Sequence, residues 1–417
     1  MREIKGNIQH RLWEHPWAYA ESFLIGFGLV STGFLLEMVL PDVGKISISY
    51  PYNVLFLTLY ILFLFIAVKR FLHLQIIRWL IQVPAAVSSM LLITFMVMIM
   101  GVVPQVPTEN TFIDFLGLNQ ITHHWAFLWI LFQFLTSLGL VTAKRILEFK
   151  WTHMGFILNH LGLFITLTAG LLASGDLQRI SVNLREGAQT TIGIDEQQRA
   201  VTLPFSIRLE DFSMEEYPPE MALVSNRTGV VILENERNIH TLRKGAHWLF
   251  RQYEITVIDY LPSAGKIGER FAPVNQPGSP PAALVSVKNL DKDTLLSGWI
   301  TCGSFSQPYK SLKINKDFSM VMTVPDPKKF SAAISLIHQD GMQESVNIMV
   351  NKPYSYKDWK IYQLSYNERM GKWSDTTVLE LVRDPWLPVI YTGIFMMIAG
   401  AVHLFWTGTR KPNNKQV

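Results

Sequence analysis

Long apolar stretches recur along this chain and set its overall pattern. A helix needs about 20 predominantly apolar residues to cross the hydrocarbon core of a bilayer. The first apolar run is too long for a cleavable signal peptide, and no small-residue cleavage site follows it. The sequence therefore predicts a membrane protein with six transmembrane α-helices. The predicted spans are residues 17–40, 52–68, 84–103, 125–143, 155–173 and 387–406.

The segment between the fifth and sixth spans has a different pattern. Apolar and polar residues alternate at 205–209, 253–257 and 346–350, and Pro, Gly or Asp residues bound each run. This alternation is typical of β-strands with one buried face. Residues 262–281 are rich in Pro, Gly and Ala and predict a loop. The sequence therefore predicts a large all-β, sandwich-like domain between helices five and six.

Lys and Arg residues near the span ends predict the orientation, because positively charged loops stay in the cytoplasm. The loops at 41–51 and 104–124 are nearly free of such residues. We therefore expect both termini in the cytoplasm and the β domain outside it. The positive clusters are Arg2, Lys5 and Arg11; Lys69, Arg70 and Arg78; Lys144, Arg145 and Lys150; and Arg410, Lys411 and Lys415.

These patterns divide the chain into four parts. Residues 1–82 form an N-terminal two-helix membrane segment, and residues 83–174 form a three-helix membrane core. The extracytoplasmic β domain covers residues 175–384. Residues 385–417 form the last transmembrane helix and a cytoplasmic tail.

Composition argues against several classes of function. The net charge is +4, and we assign this excess to membrane topology rather than to a nucleic-acid partner. Cys302 is the only cysteine, so the chain has no internal disulfide, no Cys-x-x-Cys redox pair and no Cys-x-x-Cys-His heme attachment site. Nucleotide-binding and hydrolase motifs are also missing from the sequence. We therefore expect no independent catalytic motif.

His160 is the most informative ionisable residue, because it lies inside the fifth span. Its depth is about 8 Å along the helix from the predicted cytoplasmic end. Ionisable groups inside a bilayer are costly and tend to face a protein interior or a functional pathway. A neutral imidazole at this depth is a candidate axial ligand for heme iron. The alternative is a hydrogen bond to a neighbouring helix.

Small residues form a stripe along the same span. Their spacing places them on one helix face, which suits close helix packing. His160 projects about a third of a turn from this stripe, on the side of His153 and Phe164. That second face suits a cofactor pocket, a subunit contact or a packed bundle interior. The stripe consists of Gly155, Asn159, Gly162, Thr166 and Gly170.

Other ionisable residues near the spans receive simpler interpretations. His403, near the inner end of the last span, is either a second heme ligand or a polar residue that reaches the interface. His123 and His124 precede the fourth span, and we expect them at the surface. Glu21 and Glu37 lie near opposite ends of the first span, and we expect solvated interfacial carboxylates there.

Short motifs accompany the order of parts from residue 84 onward, which is three spans, a β domain and one span. Residues 152–162 read THMGFILNHLG, residues 183–187 read NLREG, and residues 203–212 contain LPFSI and LEDF. Residues 350–353, 361–366 and 384–388 read VNKP, IYQLSY and DPWLP. The order and spacing of these motifs resemble those of the ResB family of System II cytochrome c maturation proteins.

The resemblance implies a role in cytochrome c maturation. His160 matches the membrane histidine that gives an axial ligand to heme in fused versions of this system. The implied cofactor is heme b, held transiently and shared with a CcsA/ResC-like membrane partner, and the implied client is apocytochrome c. The implied location is the bacterial cytoplasmic (inner) membrane. The chain would then carry or hold heme and dock apocytochrome c, as at most one half of a holocytochrome c synthase.

Two features depart from the family pattern. Residues 1–82 supply two spans that the shortest members lack, and the tryptophan-rich heme motif of the partner half is missing here. A different function therefore stays open. In this alternative, the chain is a non-catalytic structural subunit of a respiratory or transport membrane complex, and its β domain recruits partners.

Overall fold

The computed structural model describes residues 12–40, 48–107, 110–232, 239–338 and 340–408. The chain divides into two compact units. The helical unit comprises Met1–Leu177 and Asp384–Val417, and the β unit comprises Gln178–Arg383.

Six long helices dominate the helical unit, and all six are long and apolar enough to cross a membrane. The prediction of six apolar helices is confirmed, and each begins and ends within a few residues of its predicted span. The long helices are α1 (Tyr19–Val39), α2 (Tyr52–Arg70), α4 (Val83–Val102), α6 (Trp125–Leu147), α7 (Met154–Ala173) and α8 (Leu387–Gly408). The short helices are α3 (Gln75–Leu80) and α5 (Thr111–Phe115), with 3-10 turns at Leu118–His123 and Trp151–His153.

The two carboxylates of α1 are buried, so the expectation of solvated interfacial side chains is wrong. Glu21 and Glu37 are only 2% and 7% exposed. Glu21 accepts a hydrogen bond of 2.8 Å from the backbone N–H of Ala18, and Glu37 accepts one of 3.2 Å from that of Trp125. The first N–H groups of a helix have no partner within the helix. The carboxylates satisfy such groups at the starts of α1 and α6.

An aspartate joins three helix ends in the same unit. Asp176 accepts hydrogen bonds from Tyr50 N at 2.7 Å, Asn53 Nδ2 at 2.6 Å and Trp386 Nε1 at 2.7 Å. These donors belong to the starts of α2 and α8, while Asp176 follows the end of α7. Asp384 in turn accepts from Trp386 N and Leu387 N at the start of α8.

The β unit contains eighteen described strands, and every pairing between them is antiparallel. The large antiparallel β region is therefore confirmed. The strands are β1 (Gln178–Arg185), β2 (Gln189–Asp195), β3 (Ala200–Glu216), β4 (Glu220–Ser225), β5 (Ile239–Thr241), β6 (His247–Phe250), β7 (Tyr253–Leu261), β8 (Ala264–Ile267), β9 (Arg270–Pro273), β10 (Ala282–Asn289), β11 (Thr294–Thr301), β12 (Leu312–Lys313), β13 (Phe318–Met322), β14 (Pro327–Ile337), β15 (Gln343–Met349), β16 (Tyr354–Tyr356), β17 (Trp359–Tyr366) and β18 (Thr376–Arg383).

The alternating segments 205–209 and 253–257 lie in β3 and β7 as predicted, and the segment 346–350 lies in β15 except for its last residue. The predicted loop at 262–281 is partly wrong, because it contains the hairpin β8–β9. Gly268 has a φ of +61° in the two-residue turn of this hairpin. Glycine adopts positive φ without steric cost, so a Gly in a two-residue turn signals a hairpin. The high Pro and Gly content of the flanking residues hid that signal.

The β unit has two large hydrophobic cores and a smaller apolar cluster at the β8–β9 hairpin. An eight-stranded sheet, in the order β15-β14-β3-β2-β1-β18-β17-β16, surrounds the first core. Its edges approach each other, because Tyr354 of β16 donates a hydrogen bond to Glu344 of β15. The second core lies between two four-stranded sheets, β11-β10-β7-β6 and β12-β13-β4-β5. Only this second part resembles a sandwich.

Candidate functional site

The small-residue stripe of α7 packs against α8 at backbone distance. A Cβ atom on Gly162 would lie 2.6 Å from the carbonyl oxygen of Gly393. A Cβ atom on Gly400 would lie 2.5 Å from the backbone nitrogen of Asn159. Gly170 is different, since a Cβ there would meet no described atom within 4 Å. The stripe from Gly155 to Thr166 is therefore the helix contact, as predicted, and Gly170 lies beyond it.

His160 lies on another face of α7 and has a fixed hydrogen-bond arrangement. Its Nδ1 is 3.1 Å from the carbonyl oxygen of Phe156, one helical turn earlier. Because a carbonyl only accepts, Nδ1 carries the proton and Nε2 keeps its lone pair. Within the described residues Nε2 has no hydrogen-bond partner. The half-buried imidazole also stacks on the Phe156 ring, with centroids 3.7 Å apart.

Arg145 and His153 stand next to this stacked pair. The guanidinium of Arg145, near the end of α6, lies 5.4 Å from the centroid of Phe156. Its Nη1 donates a hydrogen bond of 3.3 Å to His153 Nε2. His153 Nδ1 is buried and finds no hydrogen-bond partner among the described residues. The His160 imidazole and the Arg145 guanidinium thus both contact Phe156, and the His153 imidazole contacts the guanidinium.

His403 lies at the contact between α8 and α7. A Cβ atom on Gly155 would lie 2.7 Å from His403 Nδ1, which is buried and lacks a hydrogen-bond partner in the described part of the chain. Gly155 and His160 are about 140° apart around the axis of α7. The two candidate heme ligands therefore lie on different faces of α7, and the structure does not bring them together.

His124 is buried, so the expectation that it lies at the surface is wrong. Its Nδ1 accepts a hydrogen bond of 3.0 Å from Ala126 N, which caps the start of α6. Its Nε2 donates to the carbonyl oxygen of Leu116 at 3.1 Å. His123 is exposed and pairs with Thr122. The sequence signal for the cap was a polar residue directly before an apolar helix.

An apolar cavity of about 230 Å³ lies beside α7. Leu161 and Phe164 of α7 line it together with Leu57 and Leu64 of α2, and further side chains come from α6 and the start of α8. His160 does not line this cavity. The contribution of α2 gives one of the two additional N-terminal helices a structural role that the sequence did not indicate.

The β unit shows little evidence of a reactive or metal-binding site. Burial raises the pKa of the Cys302 thiol to about 11, so the thiol is protonated at neutral pH. The described residues contain no group of three or more His, Cys, Asp or Glu side chains placed to hold a metal ion. His160 with its neighbours is therefore the strongest candidate site.

Comparison with known protein families bears on the segment that carries this site. Residues 149–257 match the ResB-like family. The resemblance deduced from the sequence motifs is confirmed for this part of the chain. The ResB-like family is associated with cytochrome c biogenesis, with heme handling in general and with a partner membrane protein. No curated protein matches the chain.

The ResB-like match covers α7 with His160, the strands β1 to β6 and the start of β7. Two of its motifs meet in the eight-stranded sheet. Glu186 accepts a hydrogen bond of 3.0 Å from Phe212 N, and Gly187 N donates to the carbonyl oxygen of Leu209 at 2.8 Å. Tyr366, from a later motif outside the match, stacks on Phe212. These motif residues make contacts inside the β unit, whereas His160 keeps an Nε2 that has no hydrogen-bond partner in the described part of the chain.

Proposed function

We propose that this chain is a cytochrome c maturation factor that carries or holds heme at His160, together with a CcsA/ResC-like membrane partner. The observation that carries the proposal is the state of the His160 imidazole. Its Nδ1–H bonds to the Phe156 carbonyl, and Nε2 stays available. Metal-binding histidines commonly donate their second N–H to a backbone carbonyl in this way, which fixes ring orientation and tautomer.

The residues around His160 fit a heme group. The Phe156 ring stacked on the imidazole would suit the macrocycle, and the imidazole would suit iron. When bound, heme supplies the group that is finally attached to the cytochrome. This chain would orient heme through Nε2 of His160, and the partner would supply the second ligand. His403 is an alternative second ligand only if α7 and α8 rearrange, because the two histidines now lie on different faces of α7.

We assign the docking of apocytochrome c to the β unit, on the extracytoplasmic side. The positive clusters after the second and fourth spans support this orientation. Reporter fusions after Lys144 should be active in the cytoplasm, and fusions near Gly265 should be active outside. An external signal at the C-terminus would contradict this orientation.

Spectroscopy of the detergent-purified protein tests the heme function. The chain co-purified with a CcsA-like partner should show heme absorption bands. His160→Gly should lose most of the heme and recover part of it when imidazole is added, because the small ligand can bind iron in the space left by the side chain. A lost structural hydrogen bond would not be restored in this way.

His403→Gly is the matched control, because it also places a glycine in a membrane helix at a cost of about 1 kcal/mol. We expect it to lose less heme than His160→Gly. Wild-type heme content in His160→Ala would contradict the ligand assignment, and an essential His403 would move the site to α8. Heme-free preparations with and without the partner would favour the structural-subunit alternative.

A further inference from the structure

The cluster beside His160 contains hydrogen-bond donors that find no acceptor in the described part of the chain. An arginine has five N–H donors and cannot accept, so in the contact with His153 the imidazole Nε2 must be the acceptor. A neutral His153 then carries its proton on Nδ1. That atom is buried and has no partner among the described residues. A buried donor without an acceptor costs about 1–3 kcal/mol.

Arg145 likewise has no carboxylate partner within the described ranges. None of the ion pairs found among the described residues includes it. Glu148 lies one turn further along the chain but is exposed and makes no such pair. The described neighbours of Arg145 are instead His153 and the face of Phe156. The guanidinium and the Nδ1–H of His153 are thus both complementary to an anion.

The third member of the cluster has the opposite character. His160 uses its only N–H on the Phe156 carbonyl and keeps a bare Nε2, which suits a metal. Phe156 contacts both the His160 ring and the Arg145 guanidinium. The site therefore combines one metal-binding nitrogen with a separate group of anion-binding donors. An iron porphyrin has the matching arrangement, with the metal at its centre and carboxylates at its edge.

We propose that Arg145, held in place by His153, binds a propionate carboxylate of the heme whose iron binds His160. This inference rests on the function proposed above and adds a positioning role for two residues. An arginine suits the task, because its planar guanidinium can form two parallel hydrogen bonds to one carboxylate. Arg145 thereby sets which edge of the porphyrin lies toward the end of α6.

A comparison of heme with its dimethyl ester tests this role, because the ester keeps the iron and macrocycle but removes both carboxylates. The protein is the full chain co-purified with the CcsA-like partner, and heme binding is followed by absorbance titration. Arg145→Gln should weaken heme binding about 10- to 100-fold, the range expected for a charge-assisted hydrogen bond. Binding of the ester should change less than about twofold.

Lys144→Gln is the matched control. It removes one positive charge from the same helical turn and should leave both affinities unchanged. Arg145→Lys keeps the charge without the planar geometry and should restore only part of the heme affinity. His153→Phe keeps Arg145 but removes the imidazole beside it. We expect heme binding to weaken severalfold and binding of the ester to stay unchanged. This variant decides the question if Arg145→Gln fails to fold or to insert.

The possible outcomes separate the two proposals. If Arg145→Gln or His153→Phe weakens heme binding and ester binding equally, the propionate role is overturned and the proposed heme function stays intact. An equal loss with Lys144→Gln would reduce the role of Arg145 to membrane topology. If His160→Gly leaves both ligands bound as in the wild type, the proposed heme function itself fails.

Discussion

The strands of the β unit and the first helix of the helical unit bury different kinds of residue. In the β unit most buried positions are apolar, such as Ile207 and Leu381, each 0% exposed. In α1 of the helical unit the buried positions are Glu21, Ser22, Gly26, Gly33 and Glu37, while Phe27 and Leu35 are 56% and 64% exposed. A soluble fold gains stability by removing apolar surface from water. Helices surrounded by lipid gain little in this way and associate through small residues and polar contacts.

This difference determines which substitutions each unit should tolerate. The helical unit should be most sensitive where backbones touch and where polar groups are paired. The β unit should be most sensitive where apolar volume fills a core. Four predictions test this contrast, from the largest expected effect to the smallest.

Gly162→Leu should disrupt the contact between α7 and α8. The new side chain would meet the Gly393 carbonyl oxygen and the Met397 backbone nitrogen, at 2.6 and 2.7 Å from its Cβ. Backbone atoms cannot move aside as a flexible side chain can, so we expect a loss of about 3 kcal/mol or more. Thermal unfolding in detergent measures this loss. Gly170→Leu is the control, because no described atom lies within 4 Å of its Cβ.

The β unit should fold alone and depend on its apolar core. Its ends meet, because Gln178 pairs with Arg383 in neighbouring strands. In the isolated fragment 178–383, Leu381→Ala should cost about 2–5 kcal/mol of unfolding free energy, the usual range for a buried leucine. Leu364→Ala should cost far less, because Leu364 is 51% exposed. Equal losses, or a helix-dominated far-ultraviolet spectrum of the fragment, would contradict the described core.

The sequence was informative where one residue pattern directly sets the structure. Run length gave the six helices, alternation gave strands such as β3, and four-residue spacing gave the packing face of α7. Features that depend on tertiary contacts were missed. The burial of His124 depends on Leu116 and Phe34. The pairing of Arg145 with His153 joins the end of α6 to the 3-10 turn before α7, and no pattern within one helix indicates it.

Asp176→Asn should weaken the helical unit and change its response to acid. Partial desolvation raises the pKa of Asp176, but hydrogen bonds from Tyr50, Trp386 and Asn53 outweigh this and lower it below the ordinary value. A carboxyl with a lowered folded pKa stabilises the protein above its unfolded pKa, and this contribution is lost as the pH falls through the folded value.

Thermal unfolding measured from neutral pH downward should therefore show a loss of stability below the ordinary aspartate pKa. Asp176→Asn should remove part of that pH dependence and lower stability at neutral pH. The control is Asp358→Asn, which removes an exposed pair with Arg383 that should contribute little. An unchanged acid profile in Asp176→Asn would mean that its hydrogen bonds form equally well with the protonated acid.

Gln133→Met should cause the smallest change in stability of the four substitutions, and this change should be stabilising. Gln133 lies in α6 and is 6% exposed, and neither its Nε2 nor its Oε1 has a hydrogen-bond partner among the described residues. Replacing an unsatisfied buried amide by a flexible apolar side chain of similar size removes a cost of about 1–3 kcal/mol. Imperfect packing of the methionine should offset part of that gain. We therefore expect the free energy of unfolding, measured thermally in detergent, to rise by about 1 kcal/mol.

Gln105→Met is the matched control, and it should change stability in the opposite direction. The Gln105 amide donates to the Val103 carbonyl oxygen at 2.8 Å and accepts from Ile121 N at 3.0 Å, so its loss should destabilise the protein. A destabilising Gln133→Met would mean that the buried amide has a partner, such as a bound water, in the folded protein. A variant that is more stable but matures less cytochrome c would instead place Gln133 in the function of the helical unit.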